Sequence, residues 1–443
     1  MRGRWWFSSN RSAPLTSAVV SSFTVYRATL AASLTLAAFV ILGGAVHAQL
    51  SDTFTNWSAH PAVGYGTREP ADPIAVLNRR LESGAVRLGF SGRSGYLRST
   101  LDALDIPVES QVLVFSPDSL QGQRISTVNP RAIFFRDDVA VAWVRGGFME
   151  AASQDPQLGT VFYALDNVET DKPQFVRRQD CLQCHFSHET VGVPGMVDQG
   201  YGQLAVDHRT PFSKRWGGWY VTGEPSALHH LGNHVARTSA ATDSTFWPSL
   251  DGRVDMNGYL ATHSDVAALM VFNHQMRGMN LLARFGWESR VAEFQAAHAD
   301  APMVRPPGAL ADKPVSLEAG ARELVDYLLF VDEAALEAPV KGSGAFAERF
   351  ARQGPQDRHG RSLRQLDLQT RLLRYPCSYL IYSPAFDALP VSGKNAVYRR
   401  LWQVLSGADT DPRYGRLSPA DRRAVLEILR DTKTDLATAF TSP

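Results

Sequence analysis

Two periodicities divide the chain. Between about residues 110 and 165 the apolar positions come in short runs closed by turn residues, the signature of strands. Gln111-Val-Leu-Val-Phe115 reads as one strand, ended by Ser-Pro-Asp. Ala132–Phe135 and Val139–Val144 read as a hairpin around Arg136-Asp137-Asp138, and Gly146-Gly147 breaks the run. Gly159–Ala164 is a further strand, so the block reads as a small antiparallel unit. Before it lie an extended, proline-rich lead-in, a short helix over Ile74–Ser83 and a helical turn ending at Leu101–Leu104. After it, Gly192, Pro194 and Gly195 mark a loop, Trp216–Gly223 a strand or turn, and Ser226–Asn233 a short helix. Thr238–Tyr259 is polar and irregular.

From Ser264 onward the spacing becomes helical. Ser264 is placed to cap a helix over Asp265–Phe294, with Gly278 and Gly286 as points of interruption. Prolines at 302, 306, 307 and 314 mark a linker. Further helices are predicted over Leu317–Leu336, Leu363–Leu373, Lys394–Leu405 and Pro419–Ala437. No internal repeat or low-complexity tract is present.

The first 48 residues read as an export signal. Arg27 precedes an apolar run from Ala28 to Leu42, and Val46 and Ala48 are small residues at the −3 and −1 positions of a cleavage site before Gln49. The alternative is an uncleaved anchor, since the run to Val46 approaches spanning length. Either reading puts the body outside the cytoplasm, in a periplasm-like compartment.

Composition adds constraints. With 44% apolar residues, the 443-residue chain can bury a large core. The net charge is +1, and four of the positive charges are arginines within the first 48 residues, which contain no acid, so the remainder carries +1 − 4 = −3. That balance excludes a basic footprint for nucleic acid.

Two of the three cysteines stand in Cys181-Leu-Gln-Cys184-His185. C-x-x-C-H is the attachment pattern of c-type haem. Two thiols at this spacing reach the two vinyl groups of one porphyrin, and the adjacent imidazole reaches the iron. One covalent haem c is therefore expected, held by Cys181, Cys184 and His185, with His185 as iron ligand. A redox dithiol would need a βαβ context, and tetrahedral zinc would need a second ligand pair; neither pattern is present. Cys377, between apolar neighbours, reads as a buried small hydrophobe.

The second axial ligand sets the chemistry: methionine raises the potential, bis-histidine lowers it, and an open position admits small molecules. His274 is the first candidate, on a stripe with Ala267, Met270, Gly278 and Leu281. His208 is the second. It stands beside Arg209, Lys214, Arg215 and the Trp216–Trp219 indoles, groups suited to haem propionates. His230, His234, His263, Met196, Met256, Met276 and Met279 are further candidates.

These stretches together resemble a family of large bacterial single-haem cytochrome c domain-containing proteins. The likeness rests on Gln157–Asp166, Cys181–His185 with Gly192-Val-Pro-Gly195, Asp207-His-Arg-Thr-Pro211 and Arg215-Trp-Gly-Gly-Trp-Tyr-Val-Thr-Gly223. It continues through His230–Asn233, His263-Ser-Asp265, His274-Gln275, Arg374–Tyr382 and Phe386–Pro390, covering roughly residues 110 to 405. The resemblance implies an exported haem protein with Cys181, Cys184 and His185 at the haem. It supplies neither a reaction nor a second axial ligand.

The expected fold is α+β. The expected layout is a signal peptide over 1–48, a β-rich region over 49–170, a cytochrome c-like haem region over 171–300 and a helical region over 301–443. The expected function is electron transfer with a redox partner protein or a small-molecule donor or acceptor. The alternative is a peroxidase-like haem oxidoreductase with an exchangeable sixth iron position. A membrane is involved only if the N-terminal segment stays uncleaved.

Overall fold

A computed structural model describes residues 55–198, 205–234, 245–298 and 316–439. The leader, the linker around Pro302–Pro314 and part of the polar stretch from Thr238 lie outside the described residues. The fold is mixed: a seven-stranded antiparallel sheet in the middle of the chain, and helices in the C-terminal part.

Two helices precede the sheet, α1 (Pro73–Glu82) and α2 (Leu97–Ala103). The strands are β1 (Val112–Val114), β2 (Arg131–Arg136), β3 (Val139–Trp143), β4 (Met149–Asp155), β5 (Gly159–Leu165), β6 (Val176–Arg177) and β7 (Trp219–Tyr220). They pair in the order β6-β5-β4-β3-β2-β1-β7. Strands β4 and β6 were not read from the sequence. Met-Glu-Ala-Ala-Ser-Gln-Asp has little β-branched content, and its place comes from seven paired positions against β5.

One face of the sheet is covered by the N-terminal segment. There Asp72 accepts from the backbone of Ile74 and Ala75 as cap of α1, and from the Tyr163 hydroxyl at 2.6 Å. The Tyr65 hydroxyl donates to the Thr160 carbonyl at 2.8 Å on the same side. The other face receives the long helix α4 (Val266–Ala297), where Phe272 stacks on Phe135 at 4.6 Å. The short turn α3 (Leu182–His185) follows edge strand β6, with His185 against Phe162 of β5.

Helix α4 has 32 residues, about 48 Å of rise. It is buried on nearly every side, with polar as well as apolar residues inside. Around it pack α5 (Leu317–Leu328), α6 (Phe346–Arg352), α7 (Pro384–Asp387) and α8 (Val391–Leu405), and α9 (Pro419–Thr432) and α10 (Thr434–Ala439) pack on α8.

Several helical expectations change. Asp265, not Ser264, caps α4, accepting from Ala267 and Ala268. Ser264 instead ties the sheet together, its hydroxyl accepting from Leu113 N–H and donating to the Tyr220 carbonyl. Gly278 and Gly286 do not interrupt α4. The helix from Leu317 ends at Leu328, because Phe330 and Asp332 take left-handed backbone (φ 56° and 64°). Residues 363–373 are turns closed by a Leu366–Leu373 bridge, and 226–233 are turns without a helix.

The two helix glycines make a test. A Cβ at Gly278 would stand 2.3 Å from the buried Leu380 side chain, whereas at Gly286 the nearest atoms are 3.1 and 3.5 Å away. Alanine gains about 1 kcal/mol in helix propensity, and overpacking costs about 1–3 kcal/mol. Urea denaturation of Gly286→Ala is expected to show unchanged or raised stability. Gly278→Ala is expected to fall by about 1–2 kcal/mol, with part of the loss recovered when Leu380→Val is added.

Candidate functional site

The sequence places its rare cysteines directly after the edge strand β6. Arg178 pairs with Asp180 at 2.5 Å, and its backbone N–H bonds the Phe162 carbonyl of β5. This fixes where the Cys181–His185 turn leaves the sheet. The N–H groups of Cys184 and His185 both bond the Cys181 carbonyl, winding the segment into a single turn. Cys181 is half-buried and Cys184 exposed, and both are free thiols. Burial, then Asp180 and Glu150, push the Cys181 thiol up to about 11.

His185 has a fixed orientation. Its ring lies 4.8 Å from Phe162, and Nδ1 is 3.0 Å from the Gly195 carbonyl oxygen. A carbonyl only accepts, so Nδ1 carries the hydrogen. Burial lowers the ring's pKa and favours the neutral form, and Nε2 is then the lone-pair nitrogen. That is the state a metal-ligating imidazole needs, with its other nitrogen held by a carbonyl.

The carbonyl is itself held. Asn280 on α4 donates to the Met196 carbonyl at 2.8 Å, and a Cβ at Gly195 would stand 2.1 Å from the Asn280 side chain. Only glycine lets the loop approach the helix this closely. Arg277, one turn earlier, donates to the Glu189 carbonyl at 3.0 Å. Buried Val191 takes φ 56°, a strained conformation for a β-branched residue, inside this same loop.

Beside His185 the sheet presents an unusual strip. Cross-strand partners share a face. Ile133, Ala142, Glu150 and Ala164 form one row, and Phe135, Ala140, Ala152 and Phe162 the next. Ala142 and Ala152 lie on central strands yet remain partly exposed, while Val141 and Ala151 on the opposite face are buried. The result is a patch of alanines on central strands, bordered by Ile133, Phe135, Glu150 and Phe162, with Phe162 against His185. The Arg131–Glu150 ion pair (3.2 Å) lies on this face, and both side chains act electrostatically on His185.

The structure places the other candidate ligands elsewhere. His274 and His208 are fully buried and meet each other, Nδ1 to Nδ1 at 2.8 Å. His274 Nε2 is 2.7 Å from the Ser378 hydroxyl, so both its ring nitrogens are engaged. The His274 ring stacks on Tyr327 and Phe330. The rings that contact this pair, Tyr327, Phe330 and Tyr379, are buried. His230 is buried and stacked on Phe246, and its Nδ1 accepts from Gly232 N–H. Gly344 lies beside the His263 ring. Met276 and Met279 are core residues, Met196 and Met256 half-buried. Cys377 is fully buried, its thiol pushed up to about 12.

The groups read as suited to propionates are used within the protein. Arg215 is buried, donates to the His208 and Thr210 carbonyls and lies over the Phe212 ring. Arg209 is paired with Asp207. The Trp216 indole donates to Asn273, and Trp219 to Asp198, whose second oxygen accepts from Asn273. Asn273, Asn280, Asp198 and Ser378 were not singled out in the sequence. The asparagines had a signal: two amides one heptad apart inside an apolar helical stretch.

The chain matches no protein-family model, no curated protein and no solved structure. Among the described residues no group of three or more His, Cys, Asp or Glu is placed to hold a metal ion. A porphyrin supplies four nitrogens of its own, so one protein side chain can anchor its iron. The donor set at Cys181, Cys184 and His185 fits that group. Among the described residues no helix is long and apolar enough to cross a membrane.

The buried histidine pair gives a pH prediction. Burial holds the pKa of both well below the usual 6.5, His274 at about 3. The unfolded chain therefore binds more protons between these values, and stability falls as pH drops below 6.5. The slope is about 1.4 kcal/mol per pH unit for each histidine kept neutral. Urea unfolding between pH 6.5 and 4.5 is expected to show this loss. The His208→Asn variant is expected to show a visibly shallower slope.

Proposed function

We propose that this protein is an exported c-type cytochrome that carries one covalent haem and transfers electrons. The observation that carries the reading is the state of His185: Nδ1–H committed to the Gly195 carbonyl and Nε2 left as a ligand nitrogen, one turn after the free thiol of Cys181 and directly after that of Cys184. When bound, the haem supplies a one-electron iron couple. Cys181 and Cys184 would hold it by thioether bonds, and His185 would ligate the iron. The partly exposed Ala142 and Ala152, on the face that carries Phe162, support an apolar group beside His185.

The work of the chain is positioning. Gly195 fixes the His185 tautomer, and Asn280 fixes Gly195. The exposed Cys184 favours electron transfer, because it puts the attachment edge within reach of a partner. The partner is a redox protein or a small-molecule donor or acceptor. The export reading rests on the N-terminal segment and on haem attachment taking place after export. The charge balance supports no nucleic-acid role.

The test is expression with a cytochrome c maturation system, followed by haem staining of a denaturing gel and a pyridine haemochrome spectrum. The wild type is expected to retain stain, and the Cys181→Ser/Cys184→Ser double variant to lose it entirely. A wild type without covalent stain would sink the proposal. A second measurement separates electron transfer from the oxidoreductase reading. A reduced spectrum unchanged by carbon monoxide supports electron transfer, and rapid carbon monoxide binding supports small-molecule chemistry at the iron. Gly195→Ala is expected to keep the covalent stain but alter the reduced spectrum, because its Cβ displaces the loop that orients His185.

A further inference from the structure

A groove of about 440 Å³ opens between α1, the end of α2 and the turns at the ends of β2 and β4. Its volume falls within the range of small-molecule sites. Pro73, Val76, Leu77 and Arg80 line one side, at helical spacing along α1. Val76 is 41% exposed there, an aliphatic side chain facing water along a groove wall.

The polar lining includes donors on Gln154, Arg80 and Arg136. Gln154 is only 6% exposed, and its Oε1 accepts from the Thr160 hydroxyl at 3.1 Å. Its Nε2 is buried without a hydrogen-bond partner. A buried amide left in this state costs about 1–3 kcal/mol, and folded proteins seldom keep one without a reason. Arg136 is tied to Asp138 at 2.9 Å, which engages one edge of a five-donor guanidinium. Arg80 has no ion pair among the described residues. Two carboxylates also line the groove: Asp138, held by Arg136, and Asp105, exposed to water.

We propose that this groove binds a small organic carboxylate with an apolar body. The buried Gln154 amide donates to a carboxylate oxygen, Arg80 neutralises the charge, and Val76, Leu77 and Leu104 receive the hydrocarbon. The inference does not depend on the haem reading.

Benzoate, cyclohexanecarboxylate and octanoate serve as probes, with benzamide and benzyl alcohol as neutral controls. Binding to the full chain is followed by saturation-transfer NMR and calorimetry. At least one carboxylate is expected to bind saturably, and more tightly than the neutral controls. Arg80→Ala and Gln154→Leu are each expected to weaken it about tenfold or more, and Gln154→Glu to abolish it by like-charge repulsion. Arg80 is exposed, so its replacement tests the site even if the Gln154 variants fold poorly. Absence of saturable binding by all three carboxylates at about 10 mM, a free energy weaker than about 3 kcal/mol, would overturn the proposal. So would equal affinity in wild type and Arg80→Ala, or tighter binding of the neutral controls.

Discussion

A helix buried on every side must satisfy its polar side chains inside the protein. Helix α4 meets this constraint with hydrogen bonds at positions 273, 274, 275 and 280, and much of the molecule is arranged around them. Asn273 bonds the Trp216 indole and Asp198; His274 bonds His208 and Ser378; Gln275 bonds Tyr379 and the Arg136 carbonyl; Asn280 bonds the Met196 carbonyl. An unpaired polar group at any of these positions would carry a desolvation cost of about 1–3 kcal/mol. Their partners come from four separate stretches of chain. The helix therefore fixes the order in which those stretches can pack, as a greasy helix could not.

This explains why the most distinctive sequence stretches sit where they do. Trp216-Gly-Gly-Trp219, Asp207-His-Arg209 and Tyr375-Pro-Cys-Ser-Tyr379 look like pieces of a binding site when read in a line. In three dimensions they converge on α4, and most of their polar atoms are spent within the protein. Arg215 and Arg209 follow the same rule, one held by backbone carbonyls and the other by Asp207. A motif dense in Trp, His and Arg can be the inner surface of a core as readily as the lining of a pocket.

What was legible in the sequence follows from how local its causes are. The β2–β3 hairpin, α8 and α9 were visible because β-branched alternation, helical spacing and a proline at the first helical position act within one element. Strand β4 was not, because a run of Met, Glu, Ala and Ser becomes a strand only when β3 and β5 flank it. The expected helix over 363–373 failed for the same reason in reverse: its apolar spacing is helical, but its backbone groups pair with one another across a tight bridge. At the site, Cys181, Cys184 and His185 announced themselves by spacing. Gly195 was visible only as part of a loop and Asn280 not at all, since the close approach that links them joins residues 85 positions apart in the chain, 280 − 195.

Under the proposed reading, this division of the molecule has a functional sense. An electron-transfer centre benefits from an iron ligand that does not reorient between oxidation states and from an edge that a partner can approach. His185 has the first property, because its Nδ1 partner is braced by a buried helix through Asn280 and, one turn earlier, Arg277. Cys184 provides the second, because it is exposed on the same four-residue turn. A minimal cytochrome domain supplies both with few residues. Here the bracing is drawn from a 32-residue helix whose other polar groups organise the rest of the protein. Asn273 and His274 lie seven and six residues before Asn280, so the groups that organise the core and the group that braces His185 stand on one element.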